Sequence, residues 1–146
     1  MTDAAPGGDA AGAPQPGRVV VMADDLIWAT RLAGQLRTLG AEPLSAATVE
    51  ALARELAGDL PAARVVVDLT ARGYDGVAAV RIAVASGARV LAVGQHDDAT
   101  LRNTALEAGA DRFVPYRLMF DAGPITLAAW LGLAPSLRRT KESSAP

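Results

Sequence analysis

Short runs of aliphatic residues, most of them β-branched, alternate with stretches of helical periodicity five times along this chain, and that alternation constrains the fold more than any other feature. Val19-Val20-Val21-Met22, the Val65-Val66-Val67 centre of Arg64-Val65-Val66-Val67-Asp68, and Val90-Leu91-Ala92-Val93 are apolar without a break, as strands buried on both faces must be. Pro43–Ala46 and Arg112-Phe113-Val114 are weaker runs of the same kind. The first helix is expected from Leu26 to Leu39, with Ala29, Leu32, Leu36 and Leu39 on one stripe and Gly40 as its stop. Thr48 is placed to cap a second helix carrying Val49, Leu52 and Leu56, ended by Gly58 and Pro61. Asp75-Gly76 opens a third through Val77, Val80 and Val84 to Gly87, and Asp98 caps a fourth through Leu101, Ala105 and Ala108 to Gly109. Pro124 sits where a first-turn proline belongs, so Ile125 to Leu131 is read as the last helix.

Strands alternating with helices require right-handed crossovers and a parallel sheet covered on both faces. The expected fold is therefore α/β: a flavodoxin-like (βα)5 doubly wound sheet of five parallel strands in the order 2-1-3-4-5. The boundaries are read as a disordered N-terminal tail at 1–17, one domain at 18–134 and a flexible C-terminal tail at 135–146.

Composition removes several function classes. With 51% hydrophobic residues the chain can bury a core, and a net charge of −2 gives no reason to expect nucleic acid or an anionic membrane. There is no cysteine, which excludes disulfides, thiolate metal sites and thiol catalysis, and the single histidine, His96, excludes a multi-histidine metal site. The opening segment lacks the basic and apolar regions of a signal peptide, and no window has the eighteen or so apolar residues of a membrane span. A cytoplasmic location is expected. Dinucleotide, Walker A and nucleophile-elbow motifs are absent, with MADDL standing where a glycine-rich loop would follow the first strand. No enzyme class has a positive signal.

In such sheets function gathers where the strand order reverses, between the first and third strands. Both end in acids: Asp24-Asp25 after the first and Asp68 at the end of the third. Converging carboxylates repel unless a proton or cation joins them, and a hard ion such as Mg²⁺ suits them. Asp25 is equally well placed to cap the first helix, leaving Asp24 as a solvated crevice acid.

Three segments carry a family resemblance. VVVDLTARGYDG (65–76), ALEAGADRFVPY (105–116) and VVVMADDLIWATRLAGQL (19–36) resemble the receiver domains (CheY-like) of two-component response regulators. The resemblance covers about 18–133. It implies that Asp68 holds the phospho-acceptor position, and that Asp24 and Asp25 hold metal-binding positions. It also implies a degenerate form, or pseudo-receiver. Gly94 stands where the family has a small hydroxyl residue, Tyr116 where it has a lysine, and Arg117 where it has a proline. Ala23 aligns with the first of the family's paired acids. The only lysine of this chain is Lys141, so no shift of alignment restores the missing one.

The resemblance therefore implies a non-enzymatic signalling or adaptor domain acting through protein partners in a signalling pathway, a homodimer being one form such contacts take. Conventional aspartyl phosphorylation is not expected to switch it. No cofactor is expected beyond weak Mg²⁺ at Asp24, Asp25 and Asp68, with Arg117 neutralising one of them. The family docks partners on the face of the fourth helix, fifth strand and fifth helix, here Asn103, Glu107, Arg112 and Tyr116. An alternative is a small-ligand or metal-binding module using the acidic crevice, with Gly94 leaving room; Mg²⁺-dependent phosphoryl chemistry at Asp68 stands third. Tyr116–Phe120 is expected to tuck mostly under the last helix as core. Trp28 and Trp130 are read as packing residues, and His96 as a surface residue.

Overall fold

A computed structural model describes residues 16–133. Apart from Pro16 and Gly17, the tails expected at 1–17 and 135–146 lie outside the described residues, as does Lys141.

The elements run β1 (Arg18–Met22), α1 (Leu26–Thr38), β2 (Glu42–Ala46), α2 (Val49–Leu56), β3 (Arg64–Asp68), α3 (Gly76–Ala85), β4 (Arg89–Gly94), α4 (Ala99–Glu107), β5 (Arg112–Pro115) and α5 (Tyr116–Trp130). The strands form one parallel sheet in the order β2-β1-β3-β4-β5, the flavodoxin-like topology expected. β1 registers Val20 against Val65 of β3 on one side and against Leu44 of β2 on the other. Pro43 has no N–H to give a ladder, and it is tolerated because β2 is an edge strand.

The middles of β1, β3 and β4 are apolar because each face of the sheet is covered. Val20, Met22, Val65, Val67, Val90 and Ala92 meet Leu52 of α2, Val80 and Ala83 of α3 and Ala105 of α4. Val19, Val21, Val66, Leu91, Val93 and Val114 meet Leu32 and Leu36 of α1 and Leu127 and Trp130 of α5 on the other face. Side-chain caps fix four helix starts: Asp25, Thr48, Asp75 and Asp98 each accept from the backbone N–H three residues on. Gly76 follows its cap because a Cβ there would come within 2.7 Å of the Leu69 backbone, so the Asp-Gly pair is demanded by close packing.

The last helix departs from expectation. α5 begins at Tyr116, and Ala122 breaks it with φ −143 and ψ 37. Pro124 follows the break; it cannot donate to the carbonyl four residues back, and its ring crowds that carbonyl. The proline thus marks the second half of a kinked helix. As a result only Met119 of the 116–120 stretch is core, while Leu118 and Phe120 face solvent and Tyr116 is half-buried. Trp130 is fully enclosed.

Candidate functional site

β1 and β3 are neighbours whose chains leave toward opposite faces, α1 to one and α3 to the other, and that divergence opens a crevice at their C-terminal ends. A cleft of about 730 Å³ occupies it, lined by Asp24, Asp25, Trp28, Asp68, Thr70 and Tyr116, with Ile27, Arg31, Ala71, Arg72 and Phe120 around them. The structure thus brings Asp24, Asp25, Asp68 and Tyr116 to one place. Gly94, Arg117, His96, Asn103, Glu107 and Arg112 do not line this cleft.

Asp68 is 5% exposed, and its Oδ1 accepts from the Thr70 N–H at 3.0 Å, from the Thr70 hydroxyl at 3.1 Å and from the Tyr116 phenol. Thr70 Oγ1 and the Tyr116 hydroxyl oxygen are themselves 2.5 Å apart. Two hydroxyl protons thus serve three oxygen contacts, a closed set around one carboxylate oxygen. Burial, and after it the Asp68 hydrogen bond, push the Tyr116 phenol well above its usual value, so it stays protonated and remains a donor. Trp28 meets the Tyr116 ring edge-to-face, with centroids 5.9 Å apart, and so holds the ring in the cleft.

The Tyr74 hydroxyl donates to the Met22 carbonyl at 2.7 Å and the Asp68 carbonyl at 2.9 Å, tying together the ends of β1 and β3. Burial first, then the nearby carboxylates of Asp68 and Asp24, push its titration far upward. Asp24 Oδ2 accepts from the backbone N–H of Gly73 at 2.7 Å and of Arg72 at 3.1 Å, which draws the loop after β3 over the crevice. Asp25 Oδ1 caps α1 through the Trp28 N–H at 3.1 Å.

A divalent ion fits these residues poorly. Each acid already spends one oxygen on a protein donor, and among the described residues no three metal-ligating side chains gather into one group. Mg²⁺ titrated by calorimetry is expected to show no dissociation constant tighter than about 1 mM, roughly −4 kcal/mol. A tighter constant, lost in Asp24→Asn, would show that the amide clamp on Asp24 yields to the ion.

Three expectations need correction. Arg117 does not neutralise a crevice acid: it is exposed, and among the described residues no ion pair joins it to Asp24, Asp25 or Asp68. Its neighbour Tyr116 fills the place, because the helical start of α5 turns that ring inward. Gly94 does not leave room, since a Cβ there would meet the Phe113 ring at 3.2 Å and Leu69 Cδ1 at 3.7 Å. Tyr116 gives its hydroxyl to the cleft, whereas Asn103, Glu107 and Arg112 are exposed. Thr70 was not singled out by sequence reasoning. Its one signal is the spacing Asp-x-Thr, which lets an Asp side chain accept from the amide two residues on.

Neither a scan against protein-family models nor a search of curated proteins finds a match. Among solved structures, the chain is similar to a response regulator receiver protein from Burkholderia phymatum, with 26% identity, a TM-score of 0.68 and coverage of 81% of this chain and 97% of that one. It shares its fold with a two-component response regulator from Clostridium difficile at 13% identity and TM-score 0.68, over 77% of this chain and 93% of that one. A response regulator protein from Burkholderia pseudomallei, solved with a phosphorylated aspartic acid, calcium ion and citrate, matches at 19% identity and TM-score 0.67, over 88% of this chain and 73% of that one. All three of these structural neighbours are response regulators.

Proposed function

We propose that this chain is a receiver-like signalling or adaptor domain of the two-component type, acting through contacts with protein partners and not switched by aspartyl phosphorylation. The observation that carries this reading is the phenol of Tyr116, which with Thr70 engages Oδ1 of Asp68 where the resembling family keeps a lysine. Attack on a phosphoryl group is left to Oδ2 alone, with Oδ1 held by its donors and no longer available to a metal ion. The new phosphoryl oxygens would then find no hydroxyl at Gly94 and no ammonium at Tyr116. The receiver domains among the structural neighbours support the signalling role.

The test is direct. Incubated with Mg²⁺ and a small acyl phosphate, the protein is expected to show no phosphoryl adduct by intact-mass spectrometry. An adduct that maps to Asp68 and disappears in Asp68→Asn would show that the site still accepts a phosphoryl group, and it would overturn the reading if the amides of α4 and β5 move with it.

A second reading, a small-ligand module, is favoured by one observation. Although Tyr116 reaches Asp68, a cleft of about 730 Å³ stays open beside it, within the usual size range of ligand sites.

A further inference from the structure

The mouth of the cleft is apolar and uncovered. α1 places Leu26 and Ile27 in its first turn at 78% and 84% exposure, where they add nothing to the core, and Phe120 of α5 is 55% exposed. The two helices share this rim: the Arg31 guanidinium lies 4.6 Å from the centroid of the Phe120 ring, and Trp28 packs edge-to-face on Tyr116. Clustered apolar side chains left in solvent, with polar groups around them, mark contact surfaces.

The floor beneath is acidic. Oδ1 of Asp24, Oδ2 of Asp25 and Oδ2 of Asp68 accept no hydrogen bond from the described residues, whose ion pairs also leave these acids alone. Arg31 is engaged by the Phe120 ring. Asp68, at 5% exposure, can be reached only by a slender group.

We propose that this mouth docks a protein segment that inserts a lysine, flanked by apolar residues, into the cleft. The inference rests on the reading of the chain as a protein-contact domain, and it gives that reading a surface apart from the Asn103, Glu107 and Arg112 face. A lysine has the shape and charge required. Its four-carbon stem lies against Ile27 and Trp28, and its ammonium donates to an unused carboxylate oxygen of the crevice. The partner's flanking apolar residues cover Leu26 and Phe120.

The test titrates the full ¹⁵N-labelled chain with the capped peptide Leu-Ile-Lys-Ile-Leu, with its norleucine counterpart and with n-butylammonium. The lysine peptide is expected to shift the amides of 24–28, 70–73 and 120, and to bind about tenfold more tightly than either of the others. Ile27→Ser, a change at an exposed position, is expected to weaken it roughly fivefold without altering thermal unfolding. Equal binding of the norleucine peptide would remove the lysine from the account. Butylammonium binding as tightly as the peptide would make the cleft a small-ligand site. Peptide shifts confined to Asn103–Arg112, or no binding below about 1 mM, would overturn the proposed mouth and leave the adaptor reading standing.

Discussion

Trp130→Ala is expected to remove about 3–5 kcal/mol of stability, a large share of the roughly 5–15 kcal/mol that holds a domain of this size together. The indole is wholly enclosed, packed in one cluster with Leu36, Leu91, Val93, Val114 and Leu127, so truncation leaves a void between α5 and the sheet. A second loss adds to the first. Trp130 Nε1 donates to Asp111 Oδ2 at 3.1 Å, and Asp111 also pairs with Arg89 at 2.5 Å, so the indole helps orient an ion pair between the starts of β4 and β5. Trp130→Phe keeps most of the volume and is expected to cost less than half as much. Urea unfolding followed by circular dichroism measures both. An unfolding free energy for the alanine variant within about 1 kcal/mol of the parent would mean that α5 contributes little to the core.

Gly94→Thr, which would install the hydroxyl that the resembling family carries at the end of the fourth strand, is expected to destabilise by about 1–3 kcal/mol. The added Cβ would lie 3.2 Å from Phe113 Cε1, before the threonine's own branches are counted. Phe113 is a half-buried strand residue packed against the core, so its ring must shift against those neighbours to make way. A second change, Phe113→Leu, is expected to return part of the loss when combined with Gly94→Thr, giving a favourable coupling of contacting sites. Denaturant midpoints of the two single variants and the double variant decide it. A neutral Gly94→Thr would show that the ring swings out readily, and that the missing hydroxyl costs the domain less freedom than the packing indicates.

The sheet was legible because burial on both faces forces continuous apolar runs, and Val19–Met22, Arg64–Asp68 and Val90–Val93 have no other home. Helix starts were legible for a local reason: a cap is a side chain bonding a backbone group three residues away, as Asp75 and Asp98 do. The start of α5 was not, because Pro124 opens a helix and also follows a kink, and only the fold distinguishes the two roles. The acids of the crevice could be read from their places at strand ends. The hydrogen bond that decides their chemistry could not, since Tyr116 and Asp68 are 48 residues apart and meet only when β5 and β3 enter one sheet. For the same reason Gly94 read as empty space: the ring that fills it comes from another strand.

We propose that the Asp68 site, with Tyr116 and Thr70 on its carboxylate and no side chain at Gly94, has lost the means to turn a phosphoryl group into a change of shape. A bound group shifts a two-state balance only by as much as it distinguishes the two states. Beryllofluoride with Mg²⁺ imitates a phosphoryl group on an aspartate, and an amide NMR spectrum with and without it reads every backbone N–H. α4 and β5 are expected to keep their amide resonances, from Ala99 through Val114, at saturating mimic. Large shifts around Arg112–Tyr116 would contradict it, and would show that Arg117 or another group has taken over the reading of the phosphoryl oxygens.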